Sequence, residues 1–521
     1  MTIPWPASPR ARTALAALTG ALPVLAFPAP GLWWWAYAAL VPWMLLVRTA
    51  PTGRRAAYEG WAGGFGFMLA MHHWLLPSLN VFTFVIAGLL GALWAPWGWL
   101  VRRLLGGPGG PRPGTSRPRD AAIALLVLPS AWLAVELVRS WQGLGGPWGM
   151  LGASQWQVDP ALRLASVGGG WLLSLLVVAV NTALTILVAA PAARTSALAA
   201  LLATTVATTA AYVWAPRPGT TGHTRIAVVQ AGVVDGPDRR FDREEQLTRE
   251  LIGQDVDLVV WGESSVGYDL KDRPDLAKRL AALSGATGAD ILVNVDARRS
   301  DRPGIYKSSI LIGPDGPTGD RYDKMRLVPF GEYIPARSLL GWATSVGKAA
   351  GEDRRRGTRQ VVMDVAPDLR IGPMICFETA FPDMSRNLAR EGADLLVAQS
   401  STSSFQHSWA PAQHASLGAL RAAETGRTFV HATLTGDSAV YDPDGHRIGR
   451  TLGTTDSATA VYEVPLTEGR TLYARYGDWT VYAALLTLAA YAVRIAPTLR
   501  DRTPRARSAR TAHESPARPA R

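Results

Sequence analysis

Eight apolar stretches constrain the fold of this chain more than any other feature of its sequence. A helix that crosses a lipid bilayer needs about 20 consecutive, mostly apolar residues. Seven candidate stretches precede a polar segment and an eighth follows it, at residues 13–27, 32–47, 58–79, 81–100, 121–138, 167–190, 197–215 and 479–495. The first is short and contains proline, but it lacks the clear cleavage site of a signal peptide, so we interpret it as a retained helix.

The polarity of the chain changes near residue 216. Charged residues make up 18% of the 521 residues, and that average combines an apolar first part with a segment of ordinary globular polarity. We therefore predict a membrane domain with seven helices (1–218), a second domain (222–466), an eighth transmembrane helix (478–497) and a basic, disordered cytoplasmic tail (498–521). The Pro-, Arg- and Gly-rich loop at 106–118 is predicted to be disordered as well.

Arginine placement predicts how the chain crosses the membrane. Cytoplasmic loops of membrane proteins carry an excess of Lys and Arg. With eight spans, the Arg-rich segments all fall on one side, namely the N-terminus, the loops at 48–55, 102–119 and 194, and the tail. We expect both termini to be cytoplasmic and the polar domain to be extracytoplasmic. Membrane anchoring thus explains the formal net charge of +12, and we expect no nucleic-acid partner.

Short β-rich runs alternate with helical stretches in the polar domain. The runs predicted as buried strands lie at 225–230, 257–261, 290–296, 308–313, 371–377, 394–398 and 428–433. Helices are predicted at 244–253, 275–284 and 413–425, the last ended by Gly426. A hairpin at 438–444 ends in an Asp-Pro-Asp-Gly turn. This alternation indicates an α/β layered fold with helices covering the sheet faces.

The chain has one cysteine, Cys376, at the end of a predicted strand. A single cysteine excludes an intrachain disulfide and any multi-cysteine metal site. A lone buried cysteine is usually only a small hydrophobic residue. Open α/β sheets, however, place reactive groups at the carboxyl ends of their strands, and here the polar residues Glu378 and Thr379 follow closely.

Two other polar clusters could meet this cysteine. Glu263 follows the predicted strand at 257–261, and Lys324 begins a charged segment that runs to Glu332. A carboxylate near a thiol can act as general base, and an ammonium group favours the thiolate and stabilises an oxyanion. Glu, Lys and Cys together are therefore sufficient for acyl transfer from an ester or amide, although spacing alone does not show that they converge.

Three strings of residues resemble known families. VVWGES, YDKMRLVPFGEYIP and ICFE resemble the three catalytic motifs of the nitrilase superfamily, and LVPFGE with the surrounding apolar stretches resembles the apolipoprotein N-acyltransferase family. The resemblance covers residues from about 60 to 495. It implies a multi-span α-helical membrane domain plus an α/β nitrilase-like domain, an αββα sandwich, on the extracytoplasmic side of the bacterial cytoplasmic membrane.

The resemblance implies roles for individual residues. Glu263 is the implied general base, Lys324 supports the oxyanion and the base, and Cys376 is the nucleophile. The implied supporting residues are Glu332, Phe377 and Glu378.

In the membrane part, Gly146-Pro147-Trp148 resembles the family's loop near the lipid entrance, and Glu136 and Gln155 occupy family-like positions. Trp148 is a predicted substrate contact, with an interfacial belt residue as an equal alternative.

The implied reaction is ping-pong acyl transfer. Cys376 takes an acyl chain from a membrane phospholipid as a thioester and passes it to the N-terminal α-amine of a diacylglyceryl-cysteine apolipoprotein. The resemblance implies no metal and no organic cofactor. His407, His414 and His431 lack a recognised ligand spacing, so we interpret them as solvated or core residues.

The chain departs from the family pattern at several positions. Gly262 stands where the first motif usually has Pro, Phe241 where Trp is usual, and Lys307 where Asn is usual. The family string S-N-D-x-W-F is replaced by residues 400–405, SSTSSF, of which Phe405 is a predicted substrate contact. These differences bear on substrate preference and rate more than on reaction class. Three alternatives stay open: a membrane-tethered nitrilase-like amidase, a weakly active or specialised paralogue, and a non-enzymatic scaffold.

Overall fold

The computed structural model of the protein describes residue 6 and residues 8–106, 118–341 and 351–500. Most of the two segments predicted to be disordered, 106–118 and 498–521, lies outside these ranges. The described residues up to 216 form mainly helices, and the described residues after them form two β-sheets with covering helices and a final long helix.

In the part of the chain that the structure describes, nine α-helices precede the sheets. They are α1 (Pro9–Ala21), α2 (Val41–Arg48), α3 (Gly53–Met71), α4 (Leu76–Leu79), α5 (Val81–Gly91), α6 (Ala95–Leu105), α7 (Pro118–Arg139), α8 (Asp159–Ala189) and α9 (Arg194–Trp214). The later helices are α10 (Pro237–Arg249), α11 (Pro274–Thr287), α12 (Arg337–Leu340), α13 (Pro382–Arg390), α14 (Ala410–Thr425), α15 (Leu472–Tyr476) and α16 (Trp479–Arg500).

Five helical segments among the described residues are long and apolar enough to cross a membrane. They are Val81–Leu105, Arg119–Arg139, Asp159–Ala189, Pro191–Trp214 and Trp479–Ala496, and they coincide with the last five of the eight predicted spans. The first three predicted spans are helical but differ from this pattern. The first continues from α1 into a 3₁₀-helix, the second is split, and the third, α3, carries three charged residues in its first two turns. The total of eight spans stays a prediction.

Asn181 explains why the second predicted span is split. A 3₁₀-helix (Trp33–Tyr37) and α2 meet at a break where backbone groups lose their helical partners. The side chain of Asn181 on α8 accepts a hydrogen bond from the N–H of Leu40 at 2.9 Å and donates one to the carbonyl of Ala36 at 2.8 Å. Irregular backbone is tolerated at membrane depth only where protein satisfies its polar groups, and this buried amide does so.

Glycines let α3 approach its neighbours closely. A Cβ atom at Gly66 would lie 1.9 Å from the carbonyl oxygen of Ala17 on α1. A Cβ atom at Gly60 would lie 2.5 Å from the carbonyl oxygen of Trp94 and 2.9 Å from the Cα atom of Gly98 on α6. Small residues on one helix face allow backbones to pack at short distance, which is how helices associate where burial from water gives no driving force.

A break at Gly169 divides α8 into two parts. This glycine has a φ of +71°, and a Cβ atom there would lie 2.7 Å from the ring of Tyr473. The N–H of Gly170, just past the break, donates a hydrogen bond of 2.8 Å to the carboxylate of Glu424 on α14. The polar domain therefore completes the hydrogen bonding of a membrane helix.

Twelve strands among the described residues form the two sheets. They are β1 (Gly219–Gln230), β2 (Leu258–Trp261), β3 (Asp290–Arg298), β4 (Ile305–Gly313), β5 (Gly316–Asp323), β6 (Met363–Ala366), β7 (Leu369–Ile375), β8 (Leu395–Ser400), β9 (Thr428–Thr433), β10 (Ser438–Tyr441), β11 (Arg447–Leu452) and β12 (Ala458–Glu468). The strand orders are β12-β1-β2-β3-β4-β5 and β11-β10-β9-β8-β7-β6. In each sheet three central strands are parallel and the outer strands are antiparallel.

The two sheets pack face to face with helices outside, which confirms the predicted αββα sandwich. Inner-face residues such as Val228, Leu292 and Val397 share one core, whereas outer-face residues such as Val259 pack under α10 and α11. On the other side α13 and α14 cover the second sheet, and α14 also packs against α8. A polar contact crosses the sandwich, because the amide of Gln399 donates to the carbonyl of Trp261 at 2.8 Å.

The seven predicted strands and the hairpin are confirmed, with corrected bounds. The strand predicted at 371–377 ends at Ile375, and the helix predicted at 244–253 spans Pro237–Arg249. Three strands were missed: β5, β6 and β12. Strand β12 contains Pro465, which disfavours a strand interior but is tolerated here because β12 lies at the edge of its sheet.

Gly66→Ala is expected to destabilise the membrane part by about 1–3 kcal/mol, because the added methyl group overpacks the contact of α3 with α1. Gly88→Ala on α5 is the matched control, since nothing lies within 4 Å of a Cβ atom at that position. Thermal unfolding of the purified variants in detergent measures the difference. Equal melting temperatures for the two variants would show that the close packing at Gly66 contributes nothing.

Candidate active site

Cys376 lies in a sharp turn directly after β7. Its φ of +52° is unusual for a residue other than glycine, and it begins a 3₁₀-helix, Cys376–Ala380. Such a conformation persists only where surrounding contacts hold it. The carbonyl oxygen of Cys376 lies 2.9 Å from Nε2 of His414 on α14, and the N–H of Ile375 donates to the carboxylate of Glu378 at 2.8 Å. The turn orients the thiol at the carboxyl end of its strand.

Glu263 lies two residues beyond β2, in a second tight turn. Its N–H donates to the carbonyl of Ser400 at 3.1 Å, so the turn is attached to the opposite sheet. Gly262 allows this approach, because a Cβ atom there would lie 2.0 Å from the backbone nitrogen of Leu434. The next residue, Ser264, has a φ of +59° and donates its N–H to the side chain of Asn294 at 2.8 Å.

Lys324 follows β5 directly and its side chain is fully buried. Its ammonium group donates to Oε1 of Glu263 at 3.1 Å and to Oε1 of Glu332 at 2.8 Å. The other oxygen of Glu332 accepts the N–H of Val328 at 2.8 Å, which fixes this carboxylate within its own loop. Glu263, Lys324 and the predicted second carboxylate, Glu332, are thus brought together at one end of the sandwich, and the charges of Glu263 and Lys324 both act on the thiol of Cys376.

Lys307 on β4 is a second ammonium group at the same place. Its Nζ lies 2.8 Å from Oε1 of Glu263, 3.3 Å from Oε1 of Glu332 and 3.7 Å from Oδ2 of Asp296. Both lysines bind the same oxygen of Glu263. No donor among the residues that the structure describes binds its other oxygen, Oε2. The sequence singled out Lys307 only as a departure from the family pattern.

These charges set the protonation states at the site. Burial by itself raises the pKa of Glu263. The adjacent Lys307 and Lys324 together have the larger effect and lower this pKa to about 2. Burial and the carboxylate of Glu263 raise the pKa of the Cys376 thiol to about 12, even though both lysines oppose the shift. Burial lowers the pKa of Lys324, yet Glu263 and Glu332 raise it above its ordinary value. At neutral pH Glu263 is therefore ionised and the thiol of Cys376 is protonated, so a proton acceptor and the thiol that would lose its proton are present at the same site.

Glu378 joins the cysteine turn to the lysine loop. Its Oε1 accepts hydrogen bonds from the hydroxyl of Tyr322 at 2.7 Å and from the N–H groups of Met325 and Arg326 at 2.7 and 3.0 Å. Its Oε2 accepts the N–H of Ile375, as noted above. The carboxylate is fully buried and has a pKa raised by that burial. It fixes the positions of Lys324 and Cys376 relative to each other.

Phe377 lies between the cysteine turn and the membrane part. Its ring packs edge-on against that of Phe381 at 5.0 Å between centroids. A Cβ atom at Gly146 would lie 2.8 Å from Cζ of Phe377 and 2.6 Å from Cζ of Phe381. The loop that carries Gly146 and Trp148 is therefore in direct contact with the turn.

Trp148 is buried, with 9% of its surface exposed, so it packs inside the protein rather than in an interfacial belt. Its Nε1 donates to Oε1 of Gln413 at 3.0 Å, and Trp74 donates to the same oxygen at 3.3 Å. The ring of Trp74 in turn packs against that of Phe405 at 4.8 Å. Trp148 and Phe405, the two predicted substrate contacts, are thus connected through Gln413 and Trp74. Sequence reasoning missed this connection because Trp74 and Gln413 are 339 residues apart.

The structure also places the remaining candidates, two polar residues of the membrane part and three histidines. Oε1 of Glu136 accepts hydrogen bonds from Trp132 and from the N–H of Leu151, and the amide of Gln155 donates to the carbonyl of Trp33. His407 is exposed, whereas His414 and His431 are buried with their rings 4.6 Å apart. Across the described ranges, no group of three or more His, Cys, Asp or Glu residues is arranged to hold a metal ion.

Two family models match different parts of the chain. The family model of the apolipoprotein N-acyltransferase N-terminal domain matches residues 19–183, and that of carbon-nitrogen hydrolases matches residues 225–473. Two solved structures are similar to part of this chain. An amidase from Nesterenkonia sp. AN1 has 18% identity and a TM-score of 0.35, covering 50% of this chain and 98% of the amidase. Nit3 of Saccharomyces cerevisiae, a nitrilase-superfamily member, has 16% identity and a TM-score of 0.35, covering 54% and 98%.

Full-length relatives extend over both parts. The apolipoprotein N-acyltransferase of Geobacter metallireducens is 30% identical over 524 residues, which cover 94% of this chain and 96% of the relative. That of Azotobacter vinelandii is 30% identical, with 92% and 94% covered, and that of Vibrio parahaemolyticus is 28% identical, with 90% and 94% covered. The chain therefore belongs to the apolipoprotein N-acyltransferase family and is an acyltransferase.

Proposed function

We propose that this protein transfers an acyl chain from a membrane phospholipid to the N-terminal α-amine of a diacylglyceryl-cysteine apolipoprotein, through a thioester on Cys376. The observation that carries the proposal is the single cysteine of the chain in a strained turn beside a carboxylate that two ammonium groups keep ionised. The names of the full-length relatives support the choice of donor and acceptor.

In the first half-reaction, the thiol of Cys376 attacks the ester carbonyl carbon of the phospholipid. The proton of the thiol passes to the free Oε2 of Glu263, and Lys324 donates a hydrogen bond to the oxyanion that develops. The tetrahedral intermediate then expels the lysophospholipid alkoxide, which takes the proton back from Glu263. The acyl chain remains on sulfur, and the number of protons at the site is restored.

In the second half-reaction, the α-amine of the lipoprotein attacks the thioester carbonyl. Glu263 accepts a proton from the amine and returns it to the departing sulfur, so an amide forms and the free thiol is regenerated. We assign Trp148 and Phe405 to the path along which the lipid chains reach Cys376. The predicted organisation accords with this use of lipid substrates, because both substrates reach the enzyme by lateral diffusion in the membrane. It consists of seven membrane helices in 1–218, an extracytoplasmic domain at 222–466, an eighth helix at 478–497 and cytoplasmic termini.

Incubating the purified protein with phospholipid that carries a labelled acyl chain is expected to place the label on Cys376, and adding a diacylglyceryl lipopeptide is expected to move it to the peptide amine. Intact-protein and peptide mass spectrometry follow the label. Cys376→Ser is the control, and we expect it to lower turnover by about a thousandfold or more, because a hydroxyl is a weaker nucleophile at this site.

Other outcomes separate the alternatives. Label released only as free acid, with none on the lipopeptide, would identify a hydrolase of the amidase type. No label on Cys376 under conditions where a relative from Geobacter metallireducens is acylated would favour a scaffold.

Thioester formation in a single turnover is expected to change by less than about threefold between about pH 5 and pH 8. The carboxylate of Glu263 is present above its pKa of about 2, and the thiol stays protonated below its pKa of about 12. Neither reactant therefore titrates in this window. A rate that rises about tenfold per pH unit would instead indicate attack by a thiolate formed beforehand in solution equilibrium.

A further inference from the structure

Lys307 is an ammonium group at the site to which the proposed chemistry gives no role. It lies near the start of β4, directly opposite Asp296 in the antiparallel register with β3. Its side chain is 13% exposed and its Nζ lies between the carboxylates of Glu263 and Glu332. A lysine loses substantial side-chain entropy when it is fixed in this way, so its contacts must compensate.

The four groups form a closed ring of alternating charge. Going round the ring, Nζ of Lys307 is 2.8 Å from Oε1 of Glu263, which is 3.1 Å from Nζ of Lys324. That ammonium is 2.8 Å from Oε1 of Glu332, which is 3.3 Å from Nζ of Lys307. Two negative and two positive charges make the ring neutral, as a buried group of charges needs to be.

Neighbouring charges on the packed strands leave this balance unchanged. Asp296 on β3 is within 3.7 Å of Lys307 but is also paired with Arg354 at 3.4 Å. Asp323 at the end of β5 is paired with Arg299 at 2.8 Å and Arg321 at 3.0 Å. Among the described residues, the other titratable groups that interact with the ring are the thiol of Cys376, the imidazole of His414 and the carboxylate of Glu378.

Charge balance during the reaction shows what Lys307 contributes. When the proton of Cys376 moves to Glu263 and sulfur attacks the ester, the negative charge moves from Glu263 to the oxyanion. Glu332, the oxyanion and the two lysines then again sum to zero. Without Lys307 the resting site and the intermediate would each carry one uncompensated negative charge in a largely buried site, where charge is strongly destabilising.

We propose that Lys307 is a positioning residue of this site. It holds Glu263 and Glu332 in place and keeps the ring neutral while Lys324 turns its hydrogen bond from Glu263 to the oxyanion. This inference rests on the proposed function for its catalytic consequence, but the effect of Lys307 on the thiol of Cys376 does not depend on which acyl group is transferred.

The test uses the only cysteine of the chain as a reporter. In the first assay, the full-length protein in detergent is alkylated with iodoacetamide. The pH is kept in the range where the alkylation rate of wild-type protein rises in proportion to hydroxide concentration. In the second assay, single-turnover thioester formation from labelled phospholipid is measured. The variants are Lys307→Gln, which removes the charge, and Lys307→Arg, which keeps it. Lys278→Gln removes an exposed lysine of the same domain and is the matched control. Thermal unfolding verifies that each variant is folded.

Lys307→Gln is expected to slow alkylation of Cys376 by about tenfold or more, equivalent to one unit of thiol pKa, and to slow thioester formation by at least a similar factor. Lys307→Arg and Lys278→Gln are expected to stay within about threefold of wild type in both assays. The double variant Lys307→Gln/Glu332→Gln makes the ring neutral again, and we expect it to recover most of the lost alkylation rate.

Alkylation of Lys307→Gln at the rate of Lys278→Gln would overturn the inference. Slow alkylation that neither Lys307→Arg nor the double variant restores would overturn it too, because the role of Lys307 would then be its shape rather than its charge. Wild-type protein could form no thioester while Lys307→Gln still slows the alkylation of Cys376. In that case the proposed function fails and the electrostatic role of Lys307 stands.

Discussion

Four charged side chains are buried together at one end of the sandwich, and the surrounding structure has to keep them paired. Glu263 comes from the end of β2, Lys307 from the start of β4, Lys324 from the end of β5 and Glu332 from the loop that follows. Removing one partner from a buried ion pair costs about 3–5 kcal/mol, because the charge that remains is uncompensated. The antiparallel register of β3, β4 and β5 therefore has a consequence beyond sheet stability. A shift by one residue would turn Lys307 to the other face and unpair the ring.

Helix α14 connects this charge cluster to the membrane helices. Near its start, Gln413 accepts hydrogen bonds from two tryptophans and donates one to the carbonyl of Pro28 at 3.0 Å. One residue later, His414 contacts the carbonyl of Cys376. Near its end, Arg421 donates to the carbonyl of Ala380 at 3.0 Å and binds Glu424 at 2.7 Å. One helix thus orients the nucleophile turn and at the same time contacts two separate parts of the membrane domain.

The sequence predicted most of what depends on local pattern. Apolar runs of four to eight residues identified the central strands, and the resemblance of three motifs to those of the nitrilase superfamily implied Glu263, Lys324 and Cys376 as a set. The positions of these residues at strand ends explain why the prediction could be made, since the topology of such sheets brings those ends together. The structure places Lys324 and Glu263 within hydrogen-bonding distance, which spacing along the chain could not establish.

Contacts between distant segments were not predictable in the same way. Lys307 was noted as an unusual residue, but its position in the ring follows only from the register of β4 with β3. Gln413 lies in a predicted helix, and nothing local indicates that it binds Trp148, 265 residues away. The split of the second apolar stretch and the break in α8 also escaped prediction, because Asn181 and Glu424 satisfy the interrupted backbone from other elements.

The break in α8 has a consequence for how the protein is assembled. The chain is synthesised from its N-terminus, so α8 exists before Glu424, 254 residues later, has been made. Until then the N–H of Gly170 lacks its carboxylate acceptor, and an unsatisfied backbone group in a low-dielectric setting costs several kcal/mol. The kinked form is therefore the stable one only after α14 has folded and docked. The hydrogen bonding of α8 is thus completed by a residue that is synthesised long after α8 itself.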